Sequence, residues 1–330
     1  MPFFALRNTP RHYLLPQLKL AIPNPYPPLH ISIIRSYASQ QGATKMTSKI
    51  EEAKQSAARK AVEDHFDPNF SYVGIGSGTT IIYVIEAIKE RSSNPQIQFV
   101  PTGYQSRQAI VDAGLKPIAF DSLPNDVLLD VAFDGADEVD EDLNCIKGGG
   151  ACLFQEKLVA ERARKFVCVA DYRKDQPRLL TTWPTIPIEI APLSAPVVLS
   201  ALRALGSPSP TIRSNKQAKA GPLKTDQDFF IVDAPFPPLL LPQDVTGSGD
   251  GTKFGEGGEG KWEVGSLAKR IKEITGVLDV GIFWGVDGAQ ALKEGRGKGG
   301  QRPVAVYFGL QDGRVKLRTV ETGLEGRILD

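Results

Sequence analysis

Apolar positions recur at helical spacing through Ile50, Ala53, Ala57, Ala58 and Ala61, which predicts an amphipathic helix over 48–65. Thr47 or Ser48 can cap it, Glu51 and Glu52 lie in its first turn, and Asp67-Pro68-Asn69 closes it. A short apolar run at 70–75 then meets a glycine-rich turn and a second helical pattern at 79–91, with Ile82, Val84, Ile85 and Ile88 apolar. The alternation continues: strands at 97–101, 117–120, 128–133 and 165–170, helices at 106–113 and 153–163. The runs at 128–133 and 165–170 are apolar on both faces, as buried parallel strands are. Strands alternating with helices predict a parallel sheet covered on both sides.

The pattern changes near Pro184. A strand at 186–190, a helix at 192–205, a strand at 229–232 and a helix at 266–275 suggest a smaller α+β domain. Glycines crowd the stretch Gly247 to Gly260, which reads as a flexible surface insertion over 242–260. Apolar runs at 278–284 and 303–308 are strands that either return to the main sheet or finish the small domain.

Composition narrows the function classes. The 330 residues are 41% hydrophobic and 23% charged, with a net charge of +1. No global field favours nucleic acid or a membrane, so attraction for an anion must be local. No apolar run approaches the roughly 20 residues of a membrane span. Cys145, Cys152 and Cys168 are odd in number and form no Cys-x-x-Cys, which argues against a disulfide framework or zinc site. The scattered His12, His30 and His65 leave acid–base work to carboxylates and lysines. The segment 1–46 lacks Asp and Glu, carries Arg7, Arg11, Lys19, Arg35 and Lys45, and has prolines at 23, 25, 27 and 28. It reads as a disordered extension, a mitochondrial targeting segment, or sequence ahead of a true start at Met46.

Candidate chemistry gathers at strand ends. Gly74-Ile-Gly-Ser-Gly-Thr-Thr80 joins a strand to a helix, where backbone amides, the helix N-terminus and the hydroxyls of Ser77, Thr79 and Thr80 suit an anion. It matches neither the dinucleotide fingerprint nor the Walker pattern. Asp134-Gly-Ala-Asp137 follows a buried strand at the edge where open α/β sheets bind ligands. Glu138, Asp140, Glu141 and Asp142 read as solvated loop acids. Lys147-Gly148-Gly149-Gly150 supplies a cation and a turn able to donate amides, and Glu156 lies on the helix that follows. Lys54 can flank the glycine turn from the first helix, and Lys174 follows another strand end.

These stretches, with Gln105-Ser-Arg-Gln108 and Val169-Ala-Asp-Tyr-Arg-Lys174, resemble the ribose-5-phosphate isomerase family of the A type, in its eukaryotic, fungal-like form. The resemblance implies a Rossmann-like catalytic domain (47–185), a smaller ferredoxin-like α+β lid domain (186–276) and C-terminal strands (277–330) returning to the catalytic domain. It implies interconversion of D-ribose 5-phosphate and D-ribulose 5-phosphate through an enediolate, in the non-oxidative pentose phosphate pathway, without metal or cofactor. By that resemblance Glu156 moves the proton between C1 and C2, and Asp134 assists ring opening. Asp137 contacts sugar hydroxyls, while Lys147 and the amides of Gly148, Gly149 and Gly150 stabilise the oxyanion. Ser77, Gly78, Thr79 and Thr80 bind substrate, with Lys54 and Lys174 as further contacts. A cytoplasmic homodimer or homotetramer acting on a phosphosugar is the expected setting. A related phosphosugar deaminase or isomerase and a non-catalytic sugar-phosphate sensor are the alternatives. The extension, the insertion and Thr225-Asp-Gln-Asp-Phe229 depart from the family's core pattern.

Overall fold

Eight strands carry the site, and their order follows from the alternation of apolar strands and helices. The computed structural model describes residues 33–215, 220–245, 255–296, 298–323 and 325–329, with side chains from residue 49 onward. In chain order the strands are β1 (Tyr72–Ile75), β2 (Gln98–Pro101), β3 (Lys116–Pro117), β4 (Val131–Asp134), β5 (Glu138–Val139), β6 (Cys145–Ile146), β7 (Phe166–Asp171) and β8 (Ile186–Ile190). There follow β9 (Thr211–Ile212), β10 (Phe230–Ala234), β11 (Val277–Val280), β12 (Ile282–Phe283), β13 (Ala305–Gly309), β14 (Val315–Thr319) and β15 (Arg327–Leu329). The helices are α1 (Ile33–His65), α2 (Thr79–Arg91), α3 (Tyr104–Asp112), α4 (Leu153–Glu161), α5 (Ala195–Ala204), α6 (Pro242–Val245), α7 (Val264–Lys272) and α8 (Gly288–Lys293).

The large sheet runs β15-β14-β13-β7-β4-β1-β2-β3. From β3 to β13 every neighbouring pair is parallel, and β14 and β15 extend it antiparallel. Strand β1 lies between β2 and β4, so the chain reverses direction across the sheet there, which opens a crevice at the strands' carboxyl ends. One face packs against α1 and α2 through Ala57, Ala61, Val84 and Ile88. The other packs against α4 through Leu153, Val159 and Ala160.

The second sheet has the order β11-β8-β10-β9 and is antiparallel. With α5 after β8 and α7 before β11 it is a β-α-β-β-α-β unit, the ferredoxin-like arrangement. Helix α7 buries Val264, Leu267, Ala268 and Ile271, an i, i+3, i+4, i+7 stripe, and Glu263 caps it by accepting from the Gly265 and Ser266 amides. Residues 44–330 form one compact unit.

Several expectations need correction. The first helix starts at Ile33 and not at 47–48: no proline stands between Pro28 and Pro68 to stop it. Residues 1–32 lie outside the described residues, as do 246–254 of the insertion. Its flanks are anchored, since Asp244 pairs with Arg178 at 2.8 Å and the Trp262 indole donates to the Leu205 carbonyl at 2.9 Å. Strand β11 completes the smaller sheet, so the segment that rejoins the large sheet begins after it. Glu138 and Asp140 are fully buried and not solvated. Glu138 accepts from the amides of Leu180, Thr182 and Trp183 and from the Thr182 hydroxyl, stapling the β5 region to the entry of the small sheet.

Candidate active site

The crevice at the ends of β1, β4 and β7 is a cavity of about 280 Å³. Strand β1 feeds the turn Gly76-Ser77-Gly78, whose compactness requires glycine at Gly76: a Cβ there would stand 1.9 Å from Asp134 Oδ1. Strand β4 ends on Asp134. The β5–β6 hairpin brings Asp137, immediately before it, beside Lys147, immediately after it; the Asp137 amide donates to the Ile146 carbonyl at 2.8 Å. Gly148 then turns the chain with φ +100°, a conformation L side chains resist, and leads it into α4 and Glu156.

Three ionisable groups meet at the floor, each 3% exposed: Asp134, Lys147 and Glu156. The Lys147 ammonium lies 2.8 Å from Asp134 Oδ2 and 3.4 Å from Glu156 Oε2, and donates to the Gly135 carbonyl at 2.7 Å. Ser77 Oγ donates to Glu156 Oε1 at 2.8 Å, while Asp134 Oδ1 accepts from the Ser77 and Gly135 amides. Glu156 Oε2 accepts no hydrogen bond among the described residues. Burial pushes the Asp134 carboxyl up to about 7; Lys147 opposes this and the Glu156 charge adds to it. Burial works to lower the Lys147 ammonium, yet the two carboxylates outweigh it and hold the pKa above the usual lysine value. Asp137, raised chiefly by burial, accepts from the Gly149 amide at 2.8 Å.

The other end of the cavity is built for an anion. Helix α2 opens at Gly78 with no side-chain cap, leaving first-turn amides available. Lys54 Nζ donates to Thr79 Oγ1 at 2.9 Å and pairs with Glu51 at 2.8 Å. Gln105 on α3 accepts from the Gly78 amide at 3.0 Å, fixing the turn from behind.

A family model described as Ribose 5-phosphate isomerase A (phosphoriboisomerase A) matches residues 98–248. The ribose-5-phosphate isomerase of Mycosarcoma maydis is 42% identical over 275 residues, covering 82% of this chain and 82% of that protein. This chain belongs to the ribose 5-phosphate isomerase A family. Among solved structures, ribose 5-phosphate isomerase A from Methanocaldococcus jannaschii is 27% identical with a TM-score of 0.61, covering 82% of this chain and 99% of that one. A D-ribose-5-phosphate isomerase in complex with phospho-erythronic acid is 28% identical with a TM-score of 0.63, at the same coverage.

All the candidate site residues of the sequence line this one cavity: Lys54, Ser77, Gly78, Thr79, Thr80, Asp134, Asp137, Lys147, Gly148, Gly149, Gly150, Glu156 and Lys174. Lys174 Nζ sits 4.8 Å over the Trp183 ring. Sequence reasoning quoted the stretch holding Asp171 and Arg173 but gave neither a role; both line the cavity and pair with each other at 2.6 Å. Asp171 ends the buried strand β7 much as Asp134 ends β4, and that shared position was the available signal. Gln105 stood in a quoted motif but was given no role, and Arg213 was missed. The latter reaches in from the small sheet and carries no sequence signal of its own. His65 lies outside the cavity lining and packs edge-on against Tyr307, with its pKa pushed down to about 4 by burial.

Proposed function

We propose that this chain is a ribose-5-phosphate isomerase that interconverts D-ribose 5-phosphate and D-ribulose 5-phosphate through an enediolate. The observation that carries this reading is Glu156. Its carboxylate is buried and oriented by Ser77, with one oxygen free of hydrogen bonds 3.4 Å from an ammonium. That pairing of a base with a fixed positive charge suits removal of a proton next to a carbonyl.

Asp134, held near neutrality in its ionisation, assists opening of the sugar ring. Glu156 removes the proton from C2, and the electron pair passes through C1–C2 to the C1 oxygen. Lys147 and the glycine amides receive the negative charge that grows there. Glu156 then returns the proton to C1, the C2 hydroxyl gives up its proton to the C1 oxygen, and the ketose forms without net change in protons. Asp137 holds sugar hydroxyls. Lys54, the α2 N-terminus and the hydroxyls of Thr79 and Thr80 hold the phosphate, whose binding energy orients the reacting carbons, while the Ser77 hydroxyl stays on Glu156. Lys174 borders the same cleft. The similar structure with phospho-erythronic acid supports a phosphorylated sugar acid or sugar as the class of ligand.

We read 47–185 as the catalytic domain and 186–276 as the lid, with the return to the large sheet taken up after β11. A homodimer or homotetramer built on the small domain is supported by Leu193 and Val197, four residues apart and 96% and 60% exposed. Three free cysteines support a cytoplasmic setting, where the reaction serves the pentose phosphate pathway. The deciding experiment is an isomerase assay with ribose 5-phosphate beside an amino-sugar phosphate. Ketose formed from the first with no ammonia released from the second is the expected result, and the reverse overturns the reading.

A further inference from the structure

We infer that Arg213, just past β9 of the small ferredoxin-like sheet, is a positioning residue that orients the Gly150 amide of the glycine loop toward the reacting oxygen. The inference rests on the isomerase reading above and adds to it a residue from outside the large sheet.

Arg213 follows β9 directly. Its backbone is held on both sides, its amide donating to the Ile231 carbonyl at 2.7 Å and its carbonyl accepting from the Leu223 amide at 2.8 Å. Its side chain is mostly buried, and Asp233 on β10 grips it with two bonds of 2.8 and 2.5 Å. This fork geometry leaves the remaining guanidinium nitrogen little freedom. That nitrogen, Nη1, donates to the carbonyls of Gly148 at 2.9 Å and Gly149 at 3.1 Å.

Each of those carbonyls belongs to a peptide plane shared with the next amide. In a trans peptide the C=O and N–H point in opposite directions. The plane joining Gly148 to Gly149 is held at both ends: Arg213 and, at 3.1 Å, the Ala151 amide donate to its carbonyl, and Asp137 accepts its N–H at 2.8 Å. The plane joining Gly149 to Gly150 is held by Arg213 alone. Its N–H points away from the guanidinium and has no acceptor among the described residues. Gly150 borders the cleft, and a Cβ on it would stand 3.3 Å from Ser77 Oγ, the hydroxyl that orients Glu156.

A run of three glycines has no intrinsic preference for this arrangement, because either peptide can flip with little steric hindrance. A flip would place a carbonyl where the oxyanion needs a donor. Arg213 resists that flip by holding both oxygens on the far side, and Asp233 resists rotation of Arg213. Preorganisation of this kind acts on the transition state more than on substrate binding.

The test compares wild type with Arg213→Met, Arg213→Lys and Asp233→Asn. The measurements are kcat and KM for ribose 5-phosphate, affinity for phospho-erythronic acid, affinity for inorganic phosphate and melting temperature. Removing one oxyanion donor costs roughly 10²–10³-fold in kcat. Arg213→Met, which disorders donors without deleting them, is expected to lose about 10–100-fold in kcat. Phospho-erythronic acid, whose carboxylate stands in for the enediolate oxygens, should weaken in parallel, while KM and phosphate affinity stay within about three-fold. Lys, which cannot grip Asp233 and both carbonyls together, should fall between Met and wild type, and Asp233→Asn should lose less than Met. Wild-type kcat in Arg213→Met overturns the inference. So does a loss in which phosphate affinity, KM and melting temperature fall together with kcat, because that is a structural role. Wild-type protein that does not isomerise ribose 5-phosphate overturns the activity reading, and this inference with it.

Discussion

Glu156→Gln separates chemistry from binding at the proposed base. The substitution keeps the shape of the side chain, and Ser77 Oγ, 2.8 Å away, can still donate to the amide oxygen. Lys147 loses its weaker partner at 3.4 Å but keeps Asp134 at 2.8 Å and the Gly135 carbonyl at 2.7 Å, so the buried ammonium is not left alone. One of the influences raising the Asp134 carboxyl also disappears. The fold should therefore hold, with a melting temperature close to that of wild type. The proposed phosphate contacts lie at the Lys54–Thr79 end of the cleft, so KM should change little. Loss of a positioned general base costs roughly 10²–10⁴-fold, which is about 3–5 kcal/mol of barrier. Initial rates of ketose formation give kcat and KM, and deuterium incorporation at C2 in D2O reports proton abstraction directly. Turnover or exchange within ten-fold of wild type would show that Glu156 is not the base.

Asp134 ionises in the fold near pH 7 instead of 3.8, so its contribution to stability is present below about pH 4 and lost as pH rises toward about 7. Asp134→Asn should flatten the melting-temperature profile across that window, and parallel profiles for the two proteins would contradict the assignment. Lys54→Met should raise KM for ribose 5-phosphate roughly ten-fold or more with kcat nearly unchanged, since hydrogen bonds to charged groups contribute about 1.5–3 kcal/mol; an unchanged KM would move the phosphate elsewhere in the cleft. Exhaustive chelation should leave activity intact, because the Lys147 ammonium occupies the position between Asp134 and Glu156 that a cation would take. Loss of turnover restored by a divalent ion would show otherwise.

Legibility in the sequence followed element length and burial. Helix α2 was readable to its last residue at Arg91 because Val84, Ile85 and Ile88 repeat at helical spacing between a glycine and a serine, although the buried face takes Ile81 and leaves the expected Ile82 exposed. Strands β4 and β7 were readable because both faces are apolar, and Asp134 at the end of β4 marked the ligand edge of the sheet. Strands β5 and β6 are two residues each, too short for any period to register. Glu138 and Asp140 looked like loop acids because composition cannot reveal partners that arrive from residues 180–183 or from Asn144. Strand β14 was invisible for the same reason. It carries Arg318, which is fully buried against Asp175 and the carbonyls of Asp140 and Glu141. A charged residue reads as surface until its acceptors are known.

The site itself shows why those distant partners matter. Burying Asp134, Lys147 and Glu156 together is costly unless each polar atom finds a partner. Nearly all of them do: Asp134 has two amides and the ammonium, Lys147 has a carbonyl and two carboxylates, and Glu156 Oε1 has Ser77. The exception is Glu156 Oε2, the one buried oxygen of the trio left without a hydrogen bond. A saturated carboxylate would be a poor base, because each donor stabilises the charge that must attack a proton. The supporting contacts come from outside the trio. Asp137 and Arg213 hold the glycine loop, and Glu189 on β8 accepts the Phe154 amide at the start of the helix that carries Glu156. The unsatisfied oxygen is thus confined to the place where the proposed reaction needs it, and the smaller sheet shares in keeping it there.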